Sequence, residues 1–252
     1  MTIPLQNHII YGPVASRRLG RSLGINCFIP KSKICSLNCL YCQYGYTRIG
    51  ENELEDPSNY FTTKEILNAL KNSLSAMADG IDAITLSGNG EATAHPDFPS
   101  LVDGIVNLRD TYTPGIRTVI LSNSTFLGRA EVRAATGQLD VRIMKLDCGT
   151  EACFRRYNHP VIEVTLEEIV SNLCKLKDPV IQTLFSGGPA GNASPDQLKA
   201  WIEKLLEIRP HDVQIYSLAR PFPSRSIEKI GRPELEDIAL QVRAEGIDIA
   251  VY

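Results

Sequence analysis

Residues 34–45 read ICSLNCLYCQYG and place three cysteines, Cys35, Cys39 and Cys42, at intervals of three and two intervening residues. A predicted strand at residues 23–29 comes before this stretch, so the cysteines lie in a loop beyond the carboxyl end of that strand. In folds built from parallel strands, binding and catalytic groups gather at this end of the sheet. The stretch therefore predicts a functional site and indicates which edge of the sheet holds it.

Short β-branched, apolar segments alternate with helical patterns along the rest of the chain. They are residues 23–29, 83–87, 117–122, 141–146, 180–185 and 213–217, with a candidate seventh at 247–251. Such alternation is typical of βα units around a parallel sheet whose strands are covered on both faces. We predict an α/β fold, a partial (βα)6 TIM-like barrel, in one domain over residues 1–252, with residues 1–22 preceding the first strand. A full eight-unit barrel is disfavoured because eight strands are not found.

Local signals mark where the helices between these strands begin and end. The S/T-x-x-E/Q spacing that satisfies the first N–H groups of a helix occurs at Thr62/Glu65, Thr165/Glu168 and Ser194/Gln197. Pro195 and Pro233 suit first helical positions, and Gly80 and Gly246 suit helix ends. In the first helix one apolar face is predicted, formed by Ile66, Leu67, Leu70, Leu74 and Met77.

Composition narrows the class of protein. The 252 residues are 43% hydrophobic and 22% charged, which excludes disorder and collagen-like repeats, and the longest apolar runs are far short of the roughly 20 residues of a membrane span. The net charge of −3 provides no general attraction for DNA or RNA. The N-terminal MTIPLQNHIIYGP has neither a basic leader nor a long apolar stretch, so a cytoplasmic protein is expected. Seven cysteines in a reducing compartment favour metal binding or catalysis over a disulfide framework.

The cysteine spacing suits an iron–sulfur cluster with one open position. Three thiolates can bind three irons of a [4Fe–4S] cube, whereas an electron-transfer cluster normally has a fourth cysteine. An iron without a protein ligand can coordinate a substrate or cofactor. The alternative is a structural zinc ion, but zinc sites usually show paired C-x2-C spacing, and no second pair or nearby histidine is present.

The motif Cys35-x3-Cys39-x-Tyr41-Cys42 resembles that of the radical S-adenosylmethionine (radical SAM) superfamily. The resemblance implies a [4Fe–4S] cluster on Cys35, Cys39 and Cys42, SAM bound to the open iron, and Tyr41 beside the adenine. It also implies that one electron from a flavodoxin- or ferredoxin-type donor splits SAM to a 5′-deoxyadenosyl radical. From about Tyr11 onward the chain is similar to compact, stand-alone Fe–S oxidoreductases distantly related to the wyosine-base synthases that act on tRNA.

Polar residues at the next strand ends extend the resemblance. Gly88, Asn89, Gly90 and Glu91 resemble the superfamily's Gly-Gly-Glu element, which implies contacts to the methionine part of SAM, although Asn89 and Ala92 depart from its commoner residues. Ser122, Asn123, Lys145 and Asp147 resemble groups that hold the SAM ribose and carboxylate. The alternatives are that Gly88–Gly90 is a simple turn and that Asn123 and Asp147 only cap loops or helices.

Candidate substrate residues follow from charge and position. Arg17 and Arg18 suit recognition of an anion, the alternative being a solvated charged surface. Cys148 could donate a hydrogen atom or form a thiyl radical, as could Cys153, although a free cysteine is usually a small buried apolar residue. Gln182, Thr183, Gln214 and Tyr216 are candidates for lining a substrate chamber.

These observations predict an enzyme that abstracts hydrogen from a small anionic substrate. A tRNA-modifying enzyme is the nearest alternative, but the acidic pI of about 5.9 and the lack of a basic, aromatic RNA-binding appendage disfavour it. A non-catalytic Fe–S electron carrier or sensor is a second alternative. A third is an activase that installs a glycyl radical on a partner protein. Neither a membrane nor DNA is expected as a partner.

Overall fold

The computed structural model describes residues 2–47, 50, 53–76 and 80–252. An eight-stranded sheet is its centre. In spatial order its strands are β1 (Ile10–Ser16), β2 (Gly20–Ile25), β3 (Ala83–Leu86), β4 (Arg117–Ser122), β5 (Val141–Lys145), β6 (Val180–Leu184), β8 (Asp212–Tyr216) and β10 (Ile249–Val251). β1 pairs antiparallel with β2 and the other neighbours are parallel. Because chain order and spatial order agree, the sheet follows the winding of a partial barrel, as predicted.

Helices connect the parallel strands and cover the outer face of the sheet. They are α1 (Thr63–Ala76), α2 (Phe98–Tyr112), α3 (Ala130–Gln138), α4 (Glu151–Tyr157), α5 (Leu166–Leu173), α6 (Pro195–Ile208) and α7 (Arg232–Ala244). A two-stranded ribbon of β7 (Ser186–Gly187) and β9 (Glu228–Lys229) lies outside the main sheet. No helix of the described residues is both long and apolar enough to cross a membrane.

Two of the three predicted capping boxes are present. Glu65 and Glu168 each accept from the N-cap backbone while Thr62 and Thr165 accept in return. Ser194 is the N-cap of α6 but makes no side-chain cap bond. Gln197, its predicted partner, instead accepts from Thr150. Ile66, Leu70 and Leu74 are buried as predicted, whereas Met77 lies outside the described residues.

The sheet divides the apolar core into two parts. Its outer face packs against the helices, and its inner face holds a small cluster of Leu19, Ala83, Val119, Ile143 and Val180. Leu19 comes from the turn between β1 and β2. Ala83 and Val180 begin their strands, and Val119 and Ile143 are the third residues of theirs. Side chains alternate along a strand, so Lys145, Gln182, Gln214 and Tyr216 share this inner face nearer the carboxyl ends. The inner face is therefore apolar at one end and polar at the other.

The first predicted strand was displaced and an edge strand was missed. β2 covers Gly20–Ile25 rather than residues 23–29, because the chain leaves the sheet at Asn26 to form the cysteine loop. β1 was not predicted because Gly12 and Pro13 interrupt its apolar pattern, and its pairing register shifts between Tyr11 and Val14. Proline is tolerated on an edge strand, where its missing N–H costs no ladder bond. β1 supplies the eighth strand of the sheet without adding a βα unit.

Candidate active site

The three cysteines of the loop after β2 are free thiols held in a frame of backbone hydrogen bonds. Ile34 pairs with the turn after β3, because its N–H donates to Asn89 and its carbonyl accepts from Glu91. Asn38 and Leu40 donate to the carbonyls of His159 and Tyr157, at the end of α4. The loop is thus fixed from both sides, and each of the three cysteine residues retains some exposure.

Lys33 lies inside this loop and holds two parts of it together through hydrogen bonds. The Lys33 ammonium is buried and donates to the carbonyls of Leu37 at 2.9 Å and Gly45 at 3.1 Å. Burial acts to lower the pKa of Lys33, yet the adjacent Cys35, Cys42 and Cys39 raise it above its usual value. Lys33 is therefore a cation placed beside three potential thiolates. Sequence reasoning missed it, although a lysine two residues before Cys35 was a visible signal.

Two glycines allow the turn after β3 to pack closely against the cysteine loop. Gly88 has a φ of +131°, and a Cβ there would lie 2.6 Å from Asn26 Oδ1. At Gly90 a Cβ would lie 1.6 Å from the Ile34 carbonyl oxygen. Side chains at these positions would push the cysteine loop away, so the glycines are required by close backbone packing. The Asn89 side chain exchanges hydrogen bonds with the backbone of Gln6, and so holds the N-terminal segment.

Glu91 joins the ends of β3 and β4. Its carboxylate is buried. One oxygen accepts from Thr93 and Ser122, and the other accepts from the backbone N–H of Asn123 at 2.6 Å. Burial raises the pKa of Glu91, and these hydrogen bonds act in the opposite direction. The side chains of Glu91 and Ser122, both predicted to contact SAM, are thus already bonded within the protein. These hydrogen bonds join the ends of β3 and β4.

Two asparagine amides point at cysteine sulfurs. Asn123 Nδ2 lies 3.5 Å from Cys35 Sγ and 2.8 Å from Ser36 Oγ. Asn158 Nδ2 lies 3.2 Å from Cys39 Sγ and 2.8 Å from Asp147 Oδ2. Hydrogen bonds from N–H groups to cysteine sulfur orient the ligands of an iron–sulfur cluster and help to set its reduction potential. Asn123 was predicted at this site for another role. Asn158 was missed because it ends α4 without belonging to any motif.

Asp147 is the centre of a polar network at the ends of β5 and β6. Its carboxylate accepts from Lys145 Nζ at 3.0 Å, the Leu184 amide at 3.0 Å, Asn158, and the Tyr41 hydroxyl. Burial acts to lower the pKa of Lys145, but Asp147 and Tyr216 raise it above its usual value. The Lys145 ammonium also lies 5.1 Å from the Tyr41 ring centre and 5.0 Å from that of Tyr216. Tyr41, Lys145 and Asp147, each predicted to contact SAM, are therefore brought together.

The predicted chamber residues separate between the two faces of the sheet. Gln182, Gln214 and Tyr216 lie on the inner face, where Gln182 donates to Gln214 and accepts from Tyr216, each at 3.4 Å. Thr183 lies on the other face, where its hydroxyl donates to the Leu146 carbonyl. Arg18 reaches the inner face, with its guanidinium 5.0 Å from the Tyr216 ring centre, whereas Arg17 is exposed. The two arginines, equivalent in sequence, differ in position.

Cys148 is not the free thiol that sequence reasoning assumed. It forms a disulfide with Cys153, with a Cα–Cα distance of 5.6 Å, and both residues are buried. The bridge is local because Thr150 is the N-cap of α4 and its hydroxyl accepts from the Cys153 amide, which turns Cys153 back toward Cys148. In this state Cys148 has no S–H to donate. The prediction that Cys148 donates a hydrogen atom is therefore wrong for this disulfide-bonded form.

The donor set fits an iron–sulfur cluster. Burial, followed by the charge of Asp147, raises the pKa of Cys39 to about 12, and burial also raises that of Cys35. Cluster binding must therefore displace protons, and Lys33, Asn123 and Asn158 are placed to stabilise the resulting thiolate charge. Within residues 2–47, 50, 53–76 and 80–252, no group of three or more His, Cys, Asp or Glu side chains is arranged to hold a metal ion. This finding includes the three cysteines, so it does not separate a cluster from a zinc ion.

Comparison with known proteins gives one family and a set of relatives. The radical SAM superfamily model matches residues 29–144. A UPF0026 protein of Helicobacter pylori is 32% identical over 232 residues, which are 90% of this chain and 71% of that protein. A UPF0026 protein of Synechocystis is 32% identical, covering 88% of this chain and 80% of that protein. A protein of Brachyspira hyodysenteriae named GTPase Obg is 30% identical over 240 residues, and the chain spans 33% of its length.

Solved structures share the fold at low sequence identity. SuiB of Streptococcus suis bound to S-adenosylmethionine superposes with a TM-score of 0.64 and 14% identity, over 88% of this chain and 48% of that chain. TYW1 with a lysine-pyruvate adduct superposes with a TM-score of 0.59 and 16% identity, over 89% of this chain and 73% of that chain. Both likenesses concern the curved sheet and its helices.

The superfamily match covers the cysteine loop and the strand ends after β3 and β4, and it ends before Lys145, Asp147 and Asn158. The superfamily uses a [4Fe–4S] cluster and SAM, and these are the cofactors of this chain. The chain belongs to the radical SAM superfamily, among the UPF0026 proteins.

Proposed function

We propose that this chain is an enzyme that uses a [4Fe–4S] cluster on Cys35, Cys39 and Cys42, together with SAM, to take a hydrogen atom from a small anionic substrate on the inner face of the sheet. The observation that carries the proposal is a loop with three free cysteines, two of whose sulfurs accept from fixed asparagine side chains, directly beside a polar inner face. An electron carrier has no need of such a face next to its cluster.

When bound, the cluster and SAM supply a 5′-deoxyadenosyl radical, using one electron from an external reductant that we propose is of the flavodoxin or ferredoxin type. The chain's residues hold and orient these groups. Cys35, Cys39 and Cys42 supply the ligands, and Lys33 offsets their charge. Asn123 and Asn158 fix two of the sulfurs through hydrogen bonds of 3.5 Å and 3.2 Å.

For SAM we propose contacts from the residues whose geometry leaves a surface for it. Tyr41 presents a partly exposed ring whose hydroxyl is fixed by Asp147. The backbone at Gly88 and Gly90 allows close approach of a ligand because neither position has a side chain. Asn89, Glu91, Ser122 and Asn123 act behind this surface, since their side chains already have partners in the protein.

The inner face suits a substrate that must be shielded from water. Its apolar cluster around Leu19 closes the end at which the strands begin. Polar contacts near the cysteine loop come from Lys145, Gln182, Gln214 and Tyr216. A chamber closed at one end keeps a reactive group away from solvent and holds the reacting C–H bond in place. The tRNA alternative has no comparable observation in its favour.

The test is the formation of 5′-deoxyadenosine by anaerobically reconstituted protein given SAM and dithionite, measured by chromatography. Wild type is expected to form it, and Cys39→Ala is expected to lose both cluster iron and product while remaining folded. Cys174→Ala is the matched control, because Cys174 is exposed at the end of α5. It should keep the wild-type iron content and product. Normal iron content in Cys39→Ala would overturn the ligand assignment.

A further inference from the structure

The Arg18 guanidinium lies between two tyrosine rings on the inner face of the sheet. Its central carbon is 5.0 Å from the ring centre of Tyr216, at the end of β8, and 5.4 Å from that of Tyr252, which follows β10. Arg18 itself comes from the turn between β1 and β2, at the opposite edge of the sheet. Its side chain thus crosses the open side of the partial barrel and lies beside the polar end of the chamber.

This cation has no anionic partner in the described part of the chain. The Arg18 guanidinium makes neither an ion pair nor a hydrogen bond there, and its buried Nη1 atom has no acceptor. Burial lowers the pKa of Arg18, while Tyr216 and Tyr252 raise it and the positive charges of Arg17 and Arg220 lower it further. A desolvated cation with an unpaired N–H is unfavourable unless something binds it.

The carboxylate of Asp147, which lies on the same polar network as Tyr216 and Lys145, cannot serve as the anionic partner of Arg18. Asp147 already accepts from Lys145, Tyr41, Asn158 and the Leu184 amide, so its charge is balanced and its oxygens are bonded. The Lys145–Asp147 pair is neutral as a unit. Among the described residues at the polar end of the inner face, the Arg18 guanidinium therefore lacks an anionic partner.

The groups around this charge are polar, and the hydrogen bonds among them are long. Gln182 and Gln214 are 3.4 Å apart, Tyr216 and Gln182 are 3.4 Å apart, and Lys145 and Tyr216 are 3.3 Å apart. Contacts of this length are weak hydrogen bonds, so these groups can exchange them for bonds to a ligand. Such surroundings suit a small molecule with hydroxyl or amide groups beside its charge.

We propose that the inner face binds the carboxylate of a small polar substrate, with the Arg18 guanidinium as the group that recognises it. The inference rests on the proposed function, whose substrate it specifies. One unpaired guanidinium balances the single charge of a carboxylate and matches its two oxygens. Arg17, which is exposed, has no part in this site.

The test uses glycolate as a probe, glycolamide as its neutral isostere and inorganic phosphate as the competing anion, with binding to the reconstituted protein followed by ligand-observed NMR. Wild type is expected to bind glycolate at least tenfold more tightly than glycolamide and more tightly than phosphate. Arg18→Met should lose that preference, and Arg18→Lys should keep part of it. Arg232→Met is the control, because Arg232 is exposed on α7, where it pairs with Glu236, and it should bind as wild type does.

Equal binding of glycolate and glycolamide by wild type would overturn the proposal, and this comparison needs no variant to fold. Unchanged glycolate binding by Arg18→Met would overturn it as well, and tighter binding of phosphate would refute the carboxylate assignment. Formation of 5′-deoxyadenosine by wild type is measured in parallel. Its absence would count against the proposed function, whereas its presence without a glycolate preference would count only against the Arg18 site.

Discussion

Replacing Asp147 by asparagine removes the negative partner of Lys145 and tests how the strand ends are held together. The Lys145 side chain is 16% exposed and the Asp147 side chain 1%, and their charged atoms are 3.0 Å apart. Leaving such a charge unpaired in a protein interior costs about 3–5 kcal/mol. We expect Asp147→Asn to lose about 3 kcal/mol of unfolding free energy at pH 7, at the lower end because Lys145 retains some exposure.

A double-mutant cycle with Lys145→Met isolates the interaction. Lys145→Met removes the ammonium but leaves Asp147 bonded to Tyr41, Asn158 and the Leu184 amide, so a smaller loss of about 1.5–3 kcal/mol is expected. The double variant contains neither charge. Its loss should therefore be smaller than the sum of the single losses by at least about 1.5 kcal/mol.

The pH dependence has a defined sign. In wild type the pKa of Lys145 is raised, because Asp147 and Tyr216 outweigh burial. Its stabilisation is therefore complete below the unfolded-state pKa of about 10.4 and is lost only as the pH rises through the higher folded-state pKa. In Asp147→Asn burial lowers the folded-state pKa below the unfolded value, so the variant gains stability as the pH rises. Its deficit should narrow between pH 7 and 9.5.

Urea unfolding followed by the fluorescence of Trp201, the chain's one tryptophan, measures these differences. Trp201 is buried, and its indole N–H donates to the Leu146 carbonyl beside the pair. The control cycle is Arg232→Met with Glu236→Gln, an exposed pair expected to couple by no more than about 0.5 kcal/mol. A coupling that small between Asp147 and Lys145, or a deficit constant with pH, would refute the reasoning.

Three other substitutions test separate parts of the site. In wild type, burial raises the folded-state pKa of Glu91, so ionisation of its carboxyl group lowers the free energy of unfolding as the pH rises from about 4.3 through that pKa. Glu91→Gln should lack this pH dependence. Parallel pH profiles of urea unfolding for the two proteins would contradict the prediction. Gly90→Ala places a Cβ 1.6 Å from the Ile34 carbonyl oxygen and should lower reconstituted iron to less than half of wild type, while Gly137→Ala, where the added Cβ meets open space, should not. The Cys148→Ser/Cys153→Ser variant loses a bridge with a sequence separation of 5 and should lose about 2 kcal/mol by the loop-entropy relation; an unchanged urea midpoint would show that the bridge contributes nothing.

The sheet could be predicted because its strands are continuous apolar segments between clear helix signals. β4 was predicted with its observed bounds, and β5, β6 and β8 each within one residue at either end. β1 could not be found in this way, because it contains Gly12 and Pro13 and pairs only at an edge. The ladder to β2, not its own pattern, makes it a strand.

The cysteines of the site were predicted from their spacing and the strand-end residues from resemblance to the superfamily, whereas the residues that support them were not predicted. Asn158 contacts Cys39 across 119 positions of sequence, and no local pattern predicts a contact of that separation. Glu91 shows the converse limit. Its motif marked it for ligand binding, but only the three-dimensional structure shows that Thr93, Ser122 and Asn123 already bond its carboxylate.

The central claim is that Cys35, Cys39 and Cys42 hold a cluster whose fourth iron binds SAM. The most direct measurement is the electron paramagnetic resonance spectrum of anaerobically reconstituted, dithionite-reduced protein, recorded with and without SAM. A [4Fe–4S] signal that changes on addition of SAM is the predicted result. A [4Fe–4S] signal that is the same with and without SAM would contradict the claim and favour an electron carrier or sensor.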